Sequence, residues 1–298
     1  MTQVTEGERS DPTGVVVVDK PAGITSHDVV DEVRRLFKTR KVGHAGTLDP
    51  GATGILLLGL GRATRLLDYA RLGPKRYVAE ARFGATTTTQ DSSGEIVACS
   101  PCAFTDAELE AACKRFMGPI EQVPPMVSAV RVGGERLFRK ARRGEEVERA
   151  PRSIQIYDLK LLSFEPGGRP RAVFEVSCSA GTYVRTLVHD LGAALECGAH
   201  LGSLRRTEAA GFSLADALPL RELQPSHLLE PVEALRGMPR VEVGGEKAAG
   251  VRNGRPLELD NAVVGADAKS VAVLSEGVLL AVYRKEQGRW IAERVMPS

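Results

Sequence analysis

The eight residues Gly43-His-Ala-Gly-Thr-Leu-Asp-Pro50 fit neither a regular helix nor a regular strand. Glycines at 43, 46, 51 and 54 admit backbone conformations, and a closeness of approach, that a Cβ resists. Pro50 restricts Asp49 toward extended or turn geometry. The stretch therefore displays one carboxylate, Asp49, beside a histidine, His44. An Asp-Pro turn is also common on plain surfaces, so the elements on either side decide whether this loop does chemistry.

Upstream, the unbroken apolar run 15–18 reads as a buried strand, and Lys20-Pro-Ala-Gly23 turns the chain. Thr25 with Asp28 three residues on is a capping box, so a helix opens there with Val29, Val30, Val33 and Leu36 on one face. Downstream, residues 54–60 form a second apolar strand. Tyr77, Ala79, Ala81 and Phe83 alternate with Val78, Glu80 and Arg82, the period of a strand with one covered face, which puts Tyr77 near its start. Thr105 and Glu108 cap a further helix that Gly118-Pro119 stops. Residues 172–178 alternate as a strand, and Val184, Leu187, Val188, Leu191 and Leu195 mark a helix ended by Gly198. Arg185 thus falls in the first turn of a helix that leaves a strand end. Residues 122–152, rich in Pro, Gly, Arg and Glu, read as an excursion from the main fold. Residues 219–239 read as a connector. The short strand patterns at 240–243, 271–274, 278–283 and 290–295, with Glu276-Gly277 as a hairpin turn, then suggest a small separate β-rich module.

The chain of 298 residues has room for one to three domains, and 43% hydrophobic with 26% charged residues is the composition of an ordinary soluble protein. Its apolar runs fall far below the ~18–20 residues of a membrane span. Residues 1–13 lack the apolar core of a secretory signal and are expected to be a disordered lead, with the cytoplasm as the default compartment. Five cysteines, an odd number, do not suggest a disulfide framework, and Cys99-Ser-Pro-Cys102 has the spacing of a zinc half-site without a second pair. They are read as ordinary thiols. The net charge of +2 says little, but residues 31–76 hold ten Lys/Arg against four Asp/Glu, and 131–152 hold eight against four. That local excess suits a polyanion as well as it suits a solvated surface.

Several blocks resemble, in order, the TruB family, the tRNA pseudouridine-55 synthases. They are Gly14-Val-Val-Val-Val-Asp-Lys-Pro-Ala-Gly-Ile-Thr-Ser26, Val42-Gly-His-Ala-Gly-Thr-Leu-Asp-Pro-Gly-Ala-Thr-Gly54 and Gly61-Arg-Ala-Thr-Arg65. Lys75-Arg-Tyr77, Thr86 to Gly94, Val123-Pro-Pro-Met-Val-Ser-Ala129, Cys178-Ser-Ala-Gly-Thr-Tyr-Val-Arg-Thr186 and Leu204-Arg-Arg206 follow. So many in sequence make a strong signal. The resemblance implies an α+β pseudouridine synthase fold, a mixed, largely antiparallel sheet flanked by helices. Residues 14–230 would be the catalytic domain and the insertion at 122–152 would grip the RNA stem-loop. Residues 240–298 would be a PUA-like RNA-binding domain, a looser match resting on Gly250-Val-Arg-Asn-Gly254 and position.

Isomerising uridine to its C-glycoside breaks one bond, turns the base and joins another, with no net change of atoms and no demand for a metal or redox cofactor. By the resemblance Asp49 is the nucleophile, at C1′ or at C6, and Arg185 is the cation that keeps it charged against burial. A stacked uridine must be flipped out before it can be reached. Tyr77 would be its stacking platform, with a hydroxyl able to assist proton removal from C5. Tyr183 and Leu204 would line the nucleotide site, Lys20 and Pro21 would support it, and His44 would fill the place the base leaves. The implied partner is the T stem-loop of tRNA, bound by a monomer without guide RNA and away from any membrane. Three other readings stay open: a guide-dependent, dyskerin-like synthase, which the insertion disfavours; an RNA-binding or RNA-folding module; and a glycosidase, for which a second flanking carboxylate is missing.

Overall fold

The N-terminal apolar run becomes the strand Gly14–Lys20 of a computed structural model that describes residues 11–128, 130–145, 147–265 and 267–296. The first ten residues of the expected lead lie outside that range. Gly14–Lys20 pairs antiparallel with Thr53–Leu60, and both read as continuous hydrophobic runs because both faces are covered. Val16, Val18, Leu56 and Leu58 meet Val29, Val30 and Val33 of the helix Ser26–Leu36, which Thr25 and Asp28 cap as the sequence predicts. Burying each such side chain contributes roughly 1.5–3 kcal/mol. Val15, Val17, Ile55 and Leu57 face the opposite way into a second cluster.

These strands belong to a ten-stranded mixed sheet. Its main path runs Leu218–Pro219, Gly14–Lys20, Thr53–Leu60, Ala199–Ala209, Lys75–Phe83, Arg171–Cys178, Arg152–Glu165 and Gly118–Gln122. Pairing is antiparallel except for Gly14–Lys20 with Leu218–Pro219 and Ala199–Ala209 with Thr53–Leu60. The helices Val184–Ala194 and Asp106–Arg115 cover the half built on Lys75–Phe83, with Leu109, Phe174, Leu187 and Leu191 in one core.

Two long strands are absent from the sequence reading, Arg152–Glu165 and the central Ala199–Ala209. The central strand carries His200, Arg205, Arg206, Thr207 and Glu208, so no apolar alternation announces it. Its polar side chains are placed by the site and by cross-strand ion pairs such as Arg205 to Asp19 at 2.7 Å. Within the insertion, Arg131–Val132 and Glu135–Arg136 pair as a hairpin ahead of the short helix Leu137–Arg142. Arg143 there bridges Glu135 at 2.8 Å and Glu145 at 2.6 Å.

The strands Arg240–Glu242, Ser270–Ser275, Val278–Glu286 and Arg289–Val295 form a four-stranded C-terminal sheet, with Glu276 and Gly277 both at positive φ in the expected turn. This small β-sheet domain, read from the sequence as a β-rich module, packs against the larger sheet. Val271, Val273 and Trp290 face its own helix Gly245–Arg252, while Ala272, Leu274 and Val282 join the cluster of Val15, Ile55 and Phe212. The expected connector at 219–239 supplies part of this join. Val232 and Leu235 are buried in it, Leu229 exchanges backbone hydrogen bonds with Val15 at 2.9 Å, and Arg236 lies 4.0 Å over Phe212. Among the described residues no helix is long and apolar enough to cross a membrane, and the five cysteines are free thiols.

Of the four loop glycines, Gly46 and Gly54 take positive φ, +108° and +100°. Gly54 also abuts Arg206 on the parallel neighbour, and a Cβ there would fall on the Arg206 backbone. Gly54→Ala is accordingly expected to cost about 3 kcal/mol, combining an unfavourable φ with overpacking against backbone. Calorimetry should show the thermal midpoint lowered by roughly 5–10 °C.

Candidate active site

Asp49 lies on the loop closing the hairpin between Val42–His44 and Thr53–Leu60. Three buried side chains tie that loop to the sheet and the first helix. Ser26 Oγ donates to the Leu48 carbonyl at 3.0 Å and accepts from the Leu48 N–H at 2.8 Å. Lys20, fully buried, donates from Nζ to the carbonyls of Ile24 at 2.7 Å, Pro21 at 2.8 Å and Pro50 at 3.3 Å. Arg206, also buried, donates Nε to Ile55 O at 2.7 Å and its terminal nitrogens to Gly46 O at 3.2 Å and Thr47 O at 3.5 Å. Lys75 lies close to Gly46 and gives its ammonium to the carbonyls of Arg71 at 2.8 Å and Gly73 at 2.9 Å. Burial pushes both lysines down to about 8, and at Lys20 the Asp49 carboxylate opposes that fall.

Arg185, second residue of the helix Val184–Ala194, enters from the other side with a side chain only 4% exposed. Its Nε meets Asp49 Oδ2 at 3.0 Å, while its two terminal nitrogens donate to Thr89 O at 3.0 Å and Val127 O at 2.8 Å. Asp91 Oδ2 stands 3.6 Å away. Every arm of the fork is occupied, the arrangement in which arginine differs most from lysine. Burial works against the Asp91 carboxylate, but hydrogen bonds from Ser93 and Thr89 outweigh it and hold Asp91 below the usual range.

Asp49 behaves differently. Its side chain is 43% exposed, yet burial among loop and helix raises its pKa above the ordinary carboxylate value. Arg185 opposes the rise, Asp91 adds to it and Lys20 again opposes. The guanidinium thus acts in the direction the sequence reading gave it without cancelling the cost of burial.

Tyr77 stands opposite Arg206 in the ladder and belongs to the same core as Leu48 and Ala52. Burial lifts its phenol pKa and Arg206 opposes the shift. At 7% exposure it presents little open face. Tyr183 is the N-cap of the Arg185 helix, and its backbone N–H and C=O both bond the Gln122 side chain, at 3.0 and 3.2 Å. Leu204 sits opposite Ala79 on the central strand, partly buried against that core. His44 is half-buried and lines an open cleft of about 800 Å³ with Arg40, Lys41, Thr47, Thr64 and Arg71. Burial, with Arg71 and Arg206 nearby, lowers its pKa to about 4. Its ring is therefore neutral at ordinary pH.

The sequence reading gave no role to Ser26, Lys75, Asp91 or Arg206. Each stands inside a block that resembles the family, which was the only signal available. Among the described residues no group of His, Cys, Asp and Glu gathers as a metal site.

The ten-stranded mixed sheet flanked by helices, with a small C-terminal sheet, is the pseudouridine synthase fold. The chain superimposes on a chain of a Cbf5-Nop10-Gar1 complex with a TM-score of 0.72 and 27% identity, covering 95% of this chain and 84% of that one. Residues 34–184 match the N-terminal domain of TruB family pseudouridylate synthase, and residues 185–237 match the C-terminal domain of tRNA pseudouridylate synthase B. The tRNA pseudouridine synthase B of Symbiobacterium thermophilum is 53% identical over 248 residues, 82% of this chain and 83% of its own. That of Mycobacteroides abscessus is 43% identical over 274 residues, 88% and 92% of the two chains. The chain belongs to the TruB family of pseudouridylate synthases and is an isomerase.

Proposed function

We propose that this enzyme is a tRNA pseudouridine synthase that isomerises uridine 55 in the T-loop, alone and without guide RNA, using Asp49 as nucleophile on a flipped-out nucleotide. The observation that carries the mechanism is the 3.0 Å contact between the part-exposed Asp49 carboxylate and the buried Arg185. A carboxylate held on one oxygen and part-exposed can still act as a nucleophile and form a covalent intermediate. Arg185 stabilises the anionic form, and Asp91 anchors Arg185 from behind. Tyr77 bounds the base-binding end, and Lys20 and Arg206 hold the loop that presents Asp49. The basic cleft around His44, together with the insertion, supplies the surface for an RNA stem-loop. Identity of 53% to the tRNA pseudouridine synthase B of Symbiobacterium thermophilum, against 27% to a chain of the Cbf5-Nop10-Gar1 complex, supports action without a guide. The C-terminal sheet is read as a PUA-like RNA-binding domain.

Incubation with an unmodified tRNA transcript, followed by chemical mapping of pseudouridine, tests this. Modification confined to the T-loop uridine, with no added RNA or protein, is the expected result. Activity only after a guide RNA is supplied would overturn it.

His44 fills the place of the everted base by shape, since its imidazole stays neutral. His44→Ala is expected to weaken RNA binding about tenfold, the scale of one lost stacking contact, while the single-turnover rate at saturating RNA falls less. Equal and complete loss in His44→Ala and Asp49→Ala would remove this division of roles.

A further inference from the structure

We propose that Ser26 is a positioning residue that sets the direction in which Asp49 points. The proposal rests on Asp49 being the nucleophile. Leu48, the residue before Asp49, has both its N–H and its C=O bound by one hydroxyl, at 2.8 and 3.0 Å. A serine hydroxyl offers one donor and two acceptor sites, so this pairing uses its donor and one acceptor. Both peptide groups flanking the Leu48 Cα are thereby fixed, and one of them contains the Asp49 nitrogen.

The anchor itself is rigid. Ser26 opens the helix Ser26–Leu36, but Thr25 and Asp28 cap that helix, which leaves the Ser26 hydroxyl free for the loop. Ser26 is 2% exposed and Leu48 3%, so water does not substitute for either bond. Arg206 holds the loop further upstream, at the Thr47 and Gly46 carbonyls, and beyond Asp49 Pro50 O accepts from Gly23 N–H at 2.9 Å and from Lys20 at 3.3 Å. Ser26 therefore secures the N-terminal side of the aspartate and the Lys20 turn its C-terminal side. Together they set the Cα–Cβ bond that carries the carboxylate to Arg185.

Kinetics of Ser26→Ala on a T-arm RNA test the assignment, with Ser26→Cys as a second variant that keeps the shape, in a slightly larger side chain, but has only a weak S–H. The expected result is kcat lowered by roughly 10²-fold, the effect of an ångström-scale misplacement, with KM within about threefold of the parent. The acidic limb of the kcat profile should also move to higher pH, because a carboxylate displaced from Arg185 is more readily protonated. A merely structural hydroxyl would lower the amount of folded enzyme and leave kcat per folded molecule and the pH profile in place. A kcat within about twofold of the parent, or a loss confined to KM, overturns the proposal. A crystal structure of Ser26→Ala gives an arm independent of activity: Asp49 Oδ2 still 3.0 Å from Arg185 Nε would overturn it as well. Failure of the underlying reading shows separately, as persisting activity in Asp49→Asn.

Discussion

Asp49→Asn is expected to fold normally and to lose pseudouridine formation by roughly 10⁴-fold or more, the scale of removing a covalent nucleophile. The amide keeps the size of the carboxylate and can still accept from Arg185 Nε, so the loop held by Ser26, Lys20 and Arg206 has no reason to move. What disappears is the negative oxygen. Stability should not fall, by the following sign. Burial raises the Asp49 pKa, so the folded state binds that proton more tightly than the unfolded chain, and ionisation opposes folding above the ordinary carboxylate pKa. A neutral amide removes that opposition. Rapid-quench turnover, read beside thermal unfolding, checks both halves, and a variant that unfolds at much lower temperature would contradict the account. The raised pKa also places the acidic limb of the wild-type rate profile above the ordinary aspartate value of about 3.9, with activity lost as pH falls through it.

Arg185→Lys is expected to lower kcat by roughly 10²–10³-fold, although the charge is kept. The guanidinium holds Asp49, the carbonyls of Thr89 and Val127 and the nearby Asp91 from one plane. An ammonium is a single point and cannot span those partners. Two part-buried carbonyls would be left short of donors, at up to about 1–3 kcal/mol each. Asp49 would also lose part of the attraction that opposes its raised pKa, so the acidic limb should shift upward. Wild-type kcat with an unmoved limb in the Arg185→Lys variant would show that charge alone suffices and that the fork has no role.

The site was legible where one residue carries one role. Asp49 stands out because its glycine- and proline-rich surroundings exclude regular structure. Arg185 could be placed in the first turn of a helix because the apolar spacing from Val184 to Leu195 is regular. Arg206 and Lys75 could not be read this way. Each is a cation that gives its hydrogen bonds to backbone carbonyls, and backbone carbonyls leave no trace in side-chain order. Asp91 likewise looks like an ordinary turn residue until Arg185 arrives beside it from almost a hundred positions away in the chain.

The local elements were set by the sequence acting alone: the capped helices after Thr25 and Thr105, the strands 15–18 and 54–60, and the tight turn at Glu276-Gly277 all follow from periodicity, capping and φ preference over a few residues. The tertiary structure decided the rest. It made a strand of polar Ala199–Ala209 because the ladders of Thr53–Leu60 and Lys75–Phe83 offered it partners on both sides, which no apolar pattern records. It packed the C-terminal sheet and the expected connector into the catalytic core because alternate residues there had a second apolar face to bury. And it brought Ser26, Asp49, Asp91, Arg185 and Arg206 together around one loop, since hydrogen bonds and ion pairs between distant segments depend on where the sheet carries the backbone and not on neighbours in the chain.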